Sequence, residues 1–224
     1  MQLNQIIKKL KSLSNPKAVA GMARFGINPK NTYGISIPVL RKMAKEIGKN
    51  HDLALKLWDS GIHEAKILAS MIDEPEKVTK KQMDEWIKNF DSWDVCDQCC
   101  MNLFSKTSYS WEKAKQWTNR KKEFEKRAGF ALIACLAWYE KEAPDKKFEQ
   151  FFPLIKKHAS DNRNFVKKAV NWSLRQIGKK NINLNKIAIK IAKEINKTNS
   201  KSAKWIASDA LRELTDKKIK KRFN

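Results

Sequence analysis

Residues 168–177 read Lys-Ala-Val-Asn-Trp-Ser-Leu-Arg-Gln-Ile, and residues 205–214 read Trp-Ile-Ala-Ser-Asp-Ala-Leu-Arg-Glu-Leu. Set one above the other, at an offset of 37 residues, they place small or apolar side chains at the same helical positions and a basic residue at Arg175 and Arg212. The stretch Glu125-Lys126-Arg127-Ala128-Gly129-Phe130-Ala131-Leu132 precedes Phe165-Val166-Lys167-Lys168-Ala169 by about one such unit. A period near 40 in a helical chain is the mark of paired-helix repeats of the HEAT type, in which each pair buries its apolar face only against its neighbours. Ala65, Ala128, Ala169 and Ala207 are small enough to let inner helices approach closely. The expected fold is therefore all-α, a curved α-solenoid of HEAT-like helical repeats. Roughly five or six helix pairs of that period fit the length. The expected organisation is a single domain over residues 1–224, with an N-terminal helical segment and loop at 1–40 and a basic C-terminal tail at 217–224.

The rest of the chain agrees with a helical reading. Leu3, Ile6, Ile7 and Leu10 keep the i, i+3, i+4, i+7 spacing of one helix face, as do Ala188, Ile191, Ala192 and Ile195. Pro16, Pro29, Pro38, Pro75, Pro144 and Pro153 fall where helices start or links run. The segment Gly26–Pro38 is the one clearly irregular stretch, and Ser36-Ile37-Pro38 within it reads as a helix start. Only 7 glycines and 6 prolines serve 224 residues, too few for the closely spaced turns of a β-sandwich or barrel. Neither a G-x-G-x-x-G nor a G-x-x-x-x-G-K-[ST] loop is present to cradle a nucleotide.

With 47 Lys+Arg against 24 Asp+Glu, the formal charge is +23. Self-repulsion of that size calls for a polyanion, nucleic acid before an anionic membrane surface. The basic pairs recur along the chain, from Lys8-Lys9 to Lys179-Lys180, so they describe a folded basic surface and not a charged arm. No apolar run approaches the roughly 18 residues of a membrane span. The first thirteen residues interleave lysine with apolar residues, unlike a secretory signal. Of 4 cysteines, three crowd into Cys96, Cys99 and Cys100, which is no disulfide framework. The expected location is the cytoplasm, in association with the nucleoid.

The segment most dense in chemistry is Asp91-Ser92-Trp93-Asp94-Val95-Cys96-Asp97-Gln98-Cys99-Cys100. Asp91 or Ser92 can cap a helix on which Trp93 and Asp97, at i and i+4, share a face. A carboxylate on a basic groove weakens phosphate binding and needs a reason, such as stabilising a cationic reaction centre. The plain alternative is acids that favour a helix start, beside a buried tryptophan. Cys96, Cys99 and Cys100 form one helix face, so core packing is preferred to zinc, for which no second Cys-x-x-Cys exists. Most of the eight tryptophans are expected in the core. Trp172 is flanked by Lys167, Lys168 and Arg175, cations placed to touch phosphate. Arg127 reads as opening the apolar helix Arg127–Ile133, either as a phosphate clamp or in a surface pair with Glu123 or Glu125.

Taken in order, Tyr33–Arg41, Trp93-Asp94-Val95-Cys96-Asp97, Lys126-Arg127-Ala128-Gly129-Phe130 and Ala169-Val170-Asn171-Trp172-Ser173-Leu174-Arg175 resemble the AlkD family of alkylpurine DNA glycosylases. The resemblance runs over nearly the whole chain. It implies HEAT-like repeats, a monomer, and double-stranded DNA carrying alkylated purines as the partner. It also implies excision of positively charged N3- and N7-alkylated purines without metal or cofactor, the lesion staying in the duplex and not entering a base-flipping pocket. The family's catalytic aspartate matches Asp97, its ring-packing tryptophans match Trp93 and Trp172, and its phosphate-binding arginine matches Arg127. Lys126, Lys167, Lys168 and Arg175 would hold the backbone. The family's first-repeat tyrosine has no match, since the nearby positions read Met22-Ala23-Arg24-Phe25 and Phe25 offers only a ring.

Physical chemistry fits those roles. A cationic purine is already a good leaving group, and as it departs the charge moves to the sugar, where Asp97 stabilises it and orients water. Two alternatives stand beside this one: a non-catalytic HEAT-like module for duplex or branched DNA, and a protein-binding solenoid for an acidic partner.

Overall fold

Ten consecutive residues, Ala128 to Ala137, are buried, and all lie on one helix. A helix apolar around its whole circumference must be covered on every side. The computed structural model describes residues 1–221 and 223 and shows how this is met. Among the described residues there are α-helices and one short 3-10 turn, Phe104–Lys106, and no strand. Backbone contacts divide the chain into two compact units, Met1–Ser108 and Tyr109–Asn224.

The second unit holds α8 (Ser110–Trp117), α9 (Glu123–Tyr139), α10 (Asp145–Glu149), α11 (Phe152–His158), α12 (Asn164–Gly178), α13 (Ile182–Asn196), α14 (Lys201–Leu214) and α15 (Lys217–Lys220). α9 lies against α8 and α12, and α12 in turn packs on α13 and α14. The buried positions of α12 include Val166, Ala169, Val170, Ser173, Leu174 and Ile177; those of α14 include Ala203, Ile206, Ala207, Ala210 and Leu214. Both follow the i, i+3, i+4, i+7 stripe, so the two helices are successive copies of one packing unit.

Polar rungs join the copies at a nearly constant separation. The Arg127 guanidinium donates to the Phe165 carbonyl at 2.7 Å, Asn171 Nδ2 to Asp209 at 2.6 Å, and Lys156 Nζ to Glu194 at 2.8 Å, each 38 residues apart. Arg175 pairs with Glu213 over the same interval. The buried stripes themselves repeat at 37 residues, Val166 with Ala203 through Ile177 with Leu214, which is the offset read from the sequence, and the rungs reach one residue further because a contact joins facing positions and not equivalent ones. The exposed rung, Lys156 to Glu194, contributes about 0–1 kcal/mol. A buried Leu or Ile contributes about 1.5–3 kcal/mol, so the apolar stripes hold the stack and the rungs set its register.

The first unit runs α1 (Leu3–Ser12), α2 (Pro16–Arg24), α3 (Ile37–Ile47), α4 (His51–Asp59), α5 (His63–Ile72), α6 (Lys80–Lys88) and α7 (Trp93–Asn102). Asn15, Asn50 and Thr79 cap α2, α4 and α6 by accepting backbone N–H bonds from Ala18, Leu53 and Gln82. Pro16 and Pro38 fall in first turns, where a missing N–H costs nothing. α5 is central and packs on α3, α4 and α7. Trp58 and Trp86 stack with ring centroids 3.9 Å apart, both buried.

Three of the sequence expectations change here. Trp58, Trp86 and Trp117 are buried, but Trp138 and Trp205 are exposed and the other three half-buried, so most tryptophans are not core. Arg127 does not open its helix: α9 starts at Glu123, with Glu123 and Glu125 in the first turn, and Arg127 lies a turn further in. Of the tail 217–224, Lys217–Lys220 is helical and tucks Ile219 against the unit, while Arg222 and Asn224 lie outside the described residues.

Gly129 marks the closest approach in the second unit. A Cβ there would sit 2.5 Å from the Thr118 nitrogen and 2.8 Å from the Trp117 carbonyl carbon, both backbone atoms that cannot rotate away. Overpacking of this kind costs about 1–3 kcal/mol. Gly129→Ala is therefore expected to lower the melting temperature by roughly 5 °C with helix content retained. An unchanged melting curve by circular dichroism would mean that α8 gives way freely.

Candidate functional site

The chemistry-bearing side chains of the first unit gather around the start of α7. Ser92 is the N-cap residue, and Trp93, Asp94 and Asp97 follow within the first turn and a half. Acids in this position are favoured by the helix dipole. Trp93 and Asp97 are both half-buried and one turn apart on the same face, as their spacing predicts. The Trp93 Nε1–H donates to the Phe25 carbonyl at 3.1 Å, which fixes the indole beside the end of α2. Phe25 itself is 73% exposed. Cys96, Cys99 and Cys100 are fully buried, with Cys96 and Cys100 beside Trp93 and Asp97 at i+3 and i+7. Burial pushes the Cys99 thiol well above its ordinary range, which makes it an inert core group. Among the described residues no three His, Cys, Asp or Glu side chains come together as a metal site.

Two consecutive residues at the start of α5 tie this helix to the irregular loop. His63 Nε2 lies 2.8 Å from Asp94 Oδ2, with both side chains nearly removed from solvent, and the His63 backbone N–H donates to the Asn31 carbonyl at 2.9 Å. Next to it, the Glu64 carboxylate has no solvent exposure and accepts the backbone N–H groups of Tyr33, Gly34 and Ile35. Gly34 has φ +76, and a Cβ there would meet the Asn15 carbonyl oxygen at 2.5 Å, so glycine is required. Asn28 Nδ2 adds a bond to Asp91 at 2.7 Å. Burial pulls the His63 pKa down, but the hydrogen bond to Asp94 and the charges of Asp94, Glu64 and Asp91 outweigh it and raise the value above 6.5. Burial raises Asp94, and His63 more than reverses this, holding the carboxyl below 3.8.

The candidates of the second unit are placed less uniformly for contact with a ligand. Arg127 is 5% exposed and its guanidinium reaches the Phe165 carbonyl at the start of α12, so it braces the helix that carries Trp172. Of its two suggested partners, Glu125 lies within ion-pair reach of Lys122 and Arg120, and Glu123 accepts the Phe165 N–H. Lys126 forms an ion pair with Asp161 at 3.1 Å, and Arg163 holds the same carboxylate. Burial, with the charges of Lys126 and Lys157, lowers the neighbouring His158 to about 4. Arg175 is engaged with Glu213 and Asp209. Lys167 lies 4.9 Å from the centre of the Trp205 ring. Lys168 is exposed and Trp172 half-buried, and these two, at i and i+4 on α12, present one face.

Sequence reasoning missed the His63–Asp94 pair and the Glu64 cradle. Asp94 lies inside the segment that it singled out, but partners 31 residues apart leave no periodic trace.

The family profile described as "DNA alkylation repair enzyme" matches residues 6–214. Two curated relatives, uncharacterized proteins of Listeria innocua and Listeria monocytogenes, are each 25% identical over 135 residues. That match covers 58% of this chain, and the chain spans 60% of the length of those relatives. A solved structure described as "a new family of proteins related to the HEAT-like repeat DNA glycosylases with affinity for branched DNA structures" is similar at TM-score 0.78. It covers 96% of both chains at 20% identity, which shows the HEAT-like repeat fold. Among the described residues no helix is long and apolar enough to cross a membrane.

The His63–Asp94 pair has a defined pH window. Because the folded-state pKa of His63 is raised, its contribution is full below 6.5 and fades as pH rises through the folded value. Because that of Asp94 is lowered, its contribution is full above 3.8 and fades only in stronger acid. His63→Ala is expected to cost about 3 kcal/mol in urea unfolding at pH 6. The gap from wild type should shrink toward pH 8.5, and a gap independent of pH would show that the pair carries no charge.

Proposed function

This chain belongs to the DNA alkylation repair enzyme family, and we propose that it is a DNA glycosylase that hydrolyses the N-glycosidic bond of cationic N3- and N7-alkylated purines in duplex DNA. The observation that carries this reading is the pose of α7. It holds Asp97 half-buried, one turn from a tryptophan whose ring is fixed by a bond to Phe25, while the neighbouring acid Asp94 is committed to His63.

In the reaction, the bond between the sugar C1′ and the purine nitrogen breaks with its electron pair going to the purine. The electron pair cancels the positive charge of the alkylated ring, so no general acid is needed. The positive charge that develops on the deoxyribose is met by the Asp97 carboxylate. Water adds at C1′ and loses its proton to Asp97 or to solvent, leaving free base and an abasic site. The electron-rich face of Trp93 adds cation–π attraction to the same developing charge. Trp172 has the equivalent task in the second unit, with Lys168 and Lys167 holding phosphate and Lys126, Arg127 and Arg175 shaping the helices that present them. Exposed Phe25 packs on the sugar or base where similar enzymes have tyrosine. No metal or cofactor enters these steps. Without an enclosing pocket, selectivity comes from the lability of the charged lesion, so neutral lesions are poor substrates.

A second reading, non-catalytic binding of duplex or branched DNA, is favoured by one observation: the similar solved structure belongs to a family with affinity for branched DNA. Base release from methylated duplex DNA separates the two. Wild type is expected to release N7-methylguanine and N3-methyladenine, and Asp97→Asn to bind the same duplex but release them at least about 100-fold more slowly. Release by neither protein, with binding intact, would leave the non-catalytic reading. Equal release by both would remove Asp97 from the chemistry.

A further inference from the structure

A cavity of about 360 Å³ opens where α9 and α12 end and α13 begins, lined by Trp138, Lys141, Gln176, Lys179, Lys180 and Asn181 among others. Its size is at the lower end of ligand-binding sites, roughly 300–1,000 Å³. The lining has three lysines and no carboxylate, and of these Lys179 is paired with Glu213 at 2.6 Å, leaving Lys141 and Lys180.

The aromatic member is out of place for a structural residue. α9 is buried without a break up to Ala137, and then Trp138 stands 56% exposed. Lys141 Nζ sits 5.5 Å from the centre of its ring. An exposed indole beside ammonium groups is the arrangement by which proteins stack unpaired bases and hold their phosphates.

The charges nearby are unbalanced toward the cavity. Lys180 Nζ donates to the backbone carbonyls of Glu140 and Lys141 and lies 4.7 Å from the centre of the Phe148 ring. Burial and then the Lys141 charge push the Lys180 pKa down, and Asp145, Glu140 and Glu142 offset this only in part. The Asp145 carboxylate is held by the amides of Asn181 and Asn183 at 2.7 Å each, and Glu213 is held by Lys179 and Arg175. A phosphate between Lys141 and Lys180 would relieve the repulsion.

The cavity also continues a face already assigned to DNA. Lys168, Trp172, Gln176 and Lys179 lie at i, i+4, i+8 and i+11 on and just beyond α12. Trp172 to Lys179 is about 10 Å along a helix, or about three nucleotides at a rise of 3.4 Å per base. A duplex covers its base faces with neighbouring bases, so an indole at this distance can stack only on a base that has none.

We propose that this cavity binds one unpaired nucleotide of DNA, its base on Trp138 and its phosphate between Lys141 and Lys180, so that the protein prefers DNA with a flap or bulge to uninterrupted duplex. The proposal rests on the DNA-binding part of the reading above and is independent of base excision.

The test is fluorescence anisotropy with two undamaged probes of equal length, a paired duplex and the same duplex carrying a three-nucleotide flap. Asp97→Asn serves as the parent protein, so that no chemistry intervenes. Wild type and parent should bind the flap DNA more tightly than the duplex. Adding Trp138→Ala should cost about tenfold on the flap and leave the duplex unchanged. Trp138→Phe, which keeps a ring, should retain most of the preference. Lys141→Ala should make the salt dependence on the flap shallower by about one ion. Equal losses on both probes would make Trp138 a duplex contact and overturn the proposal, as would no loss on either. Failure of wild type to release methylated bases, with the flap preference and its loss in Trp138→Ala intact, would overturn the glycosylase reading alone.

Discussion

The first unit depends on a carboxylate with no access to water. Glu64 sits at the start of α5 and accepts three successive backbone N–H groups, from Tyr33, Gly34 and Ile35. A buried carboxylate without partners would cost several kcal/mol, and this one gains them from a loop that has no secondary structure of its own. The loop is thereby shaped by a buried carboxylate together with the burial of Ile27 and Ile35. Gly34 follows from it, because the chain must turn through positive φ against the Asn15 carbonyl. His63, one residue earlier, uses its backbone on the same loop and its side chain on α7. The segment that ends α2 and the helix that carries Trp93 and Asp97 are therefore set by one turn of α5.

Charge in the second unit serves two purposes that composition does not separate. Some cations are part of the frame: Lys126 and Arg163 on Asp161, Arg175 and Lys179 on Glu213, Arg127 on a backbone carbonyl. These replace the direct apolar contact of neighbouring repeats at their solvent edges, and their acids have little charge left to offer a ligand. Others face solvent, Lys168 beside Trp172 on α12 and Lys141 beside Trp138 at the cavity. With a formal charge of +23, each acid tied to the frame also ties a cation, so the excess positive charge falls on the cations that face solvent.

The readable parts of the sequence were those with a local cause. The helical stripes of α12 and α14 are visible because burial on one face imposes a 3.6-residue period. Trp93 and Asp97 share a face because four residues make about one turn, and Cys96, Cys99 and Cys100 are core because the same geometry turns them inward. The start of α9 was misread at Arg127, although Glu123 and Glu125 form the acidic first turn that marks a helix N-terminus. The offset of 37 residues is legible for the same reason, since one buried stripe recurs on α12 and α14, whereas the contact of Arg175 with Glu213 leaves no such trace.

The sequence alone determined that this protein is a helical repeat with a basic surface and a Trp93–Asp97 face, since periodicity, composition and i, i+4 spacing are properties of the chain itself. The family assignment rests on the match of residues 6–214 to the family profile. Only the tertiary structure decided which cations are frame and which are surface, that Arg127 braces α12, that His63 and Glu64 hold the loop and α7, and that Trp138 opens on a lysine-lined cavity. Each of these depends on partners roughly 30 to 40 residues apart meeting in one register. That register is set by how whole helices pack, a many-body outcome that no short window of sequence contains.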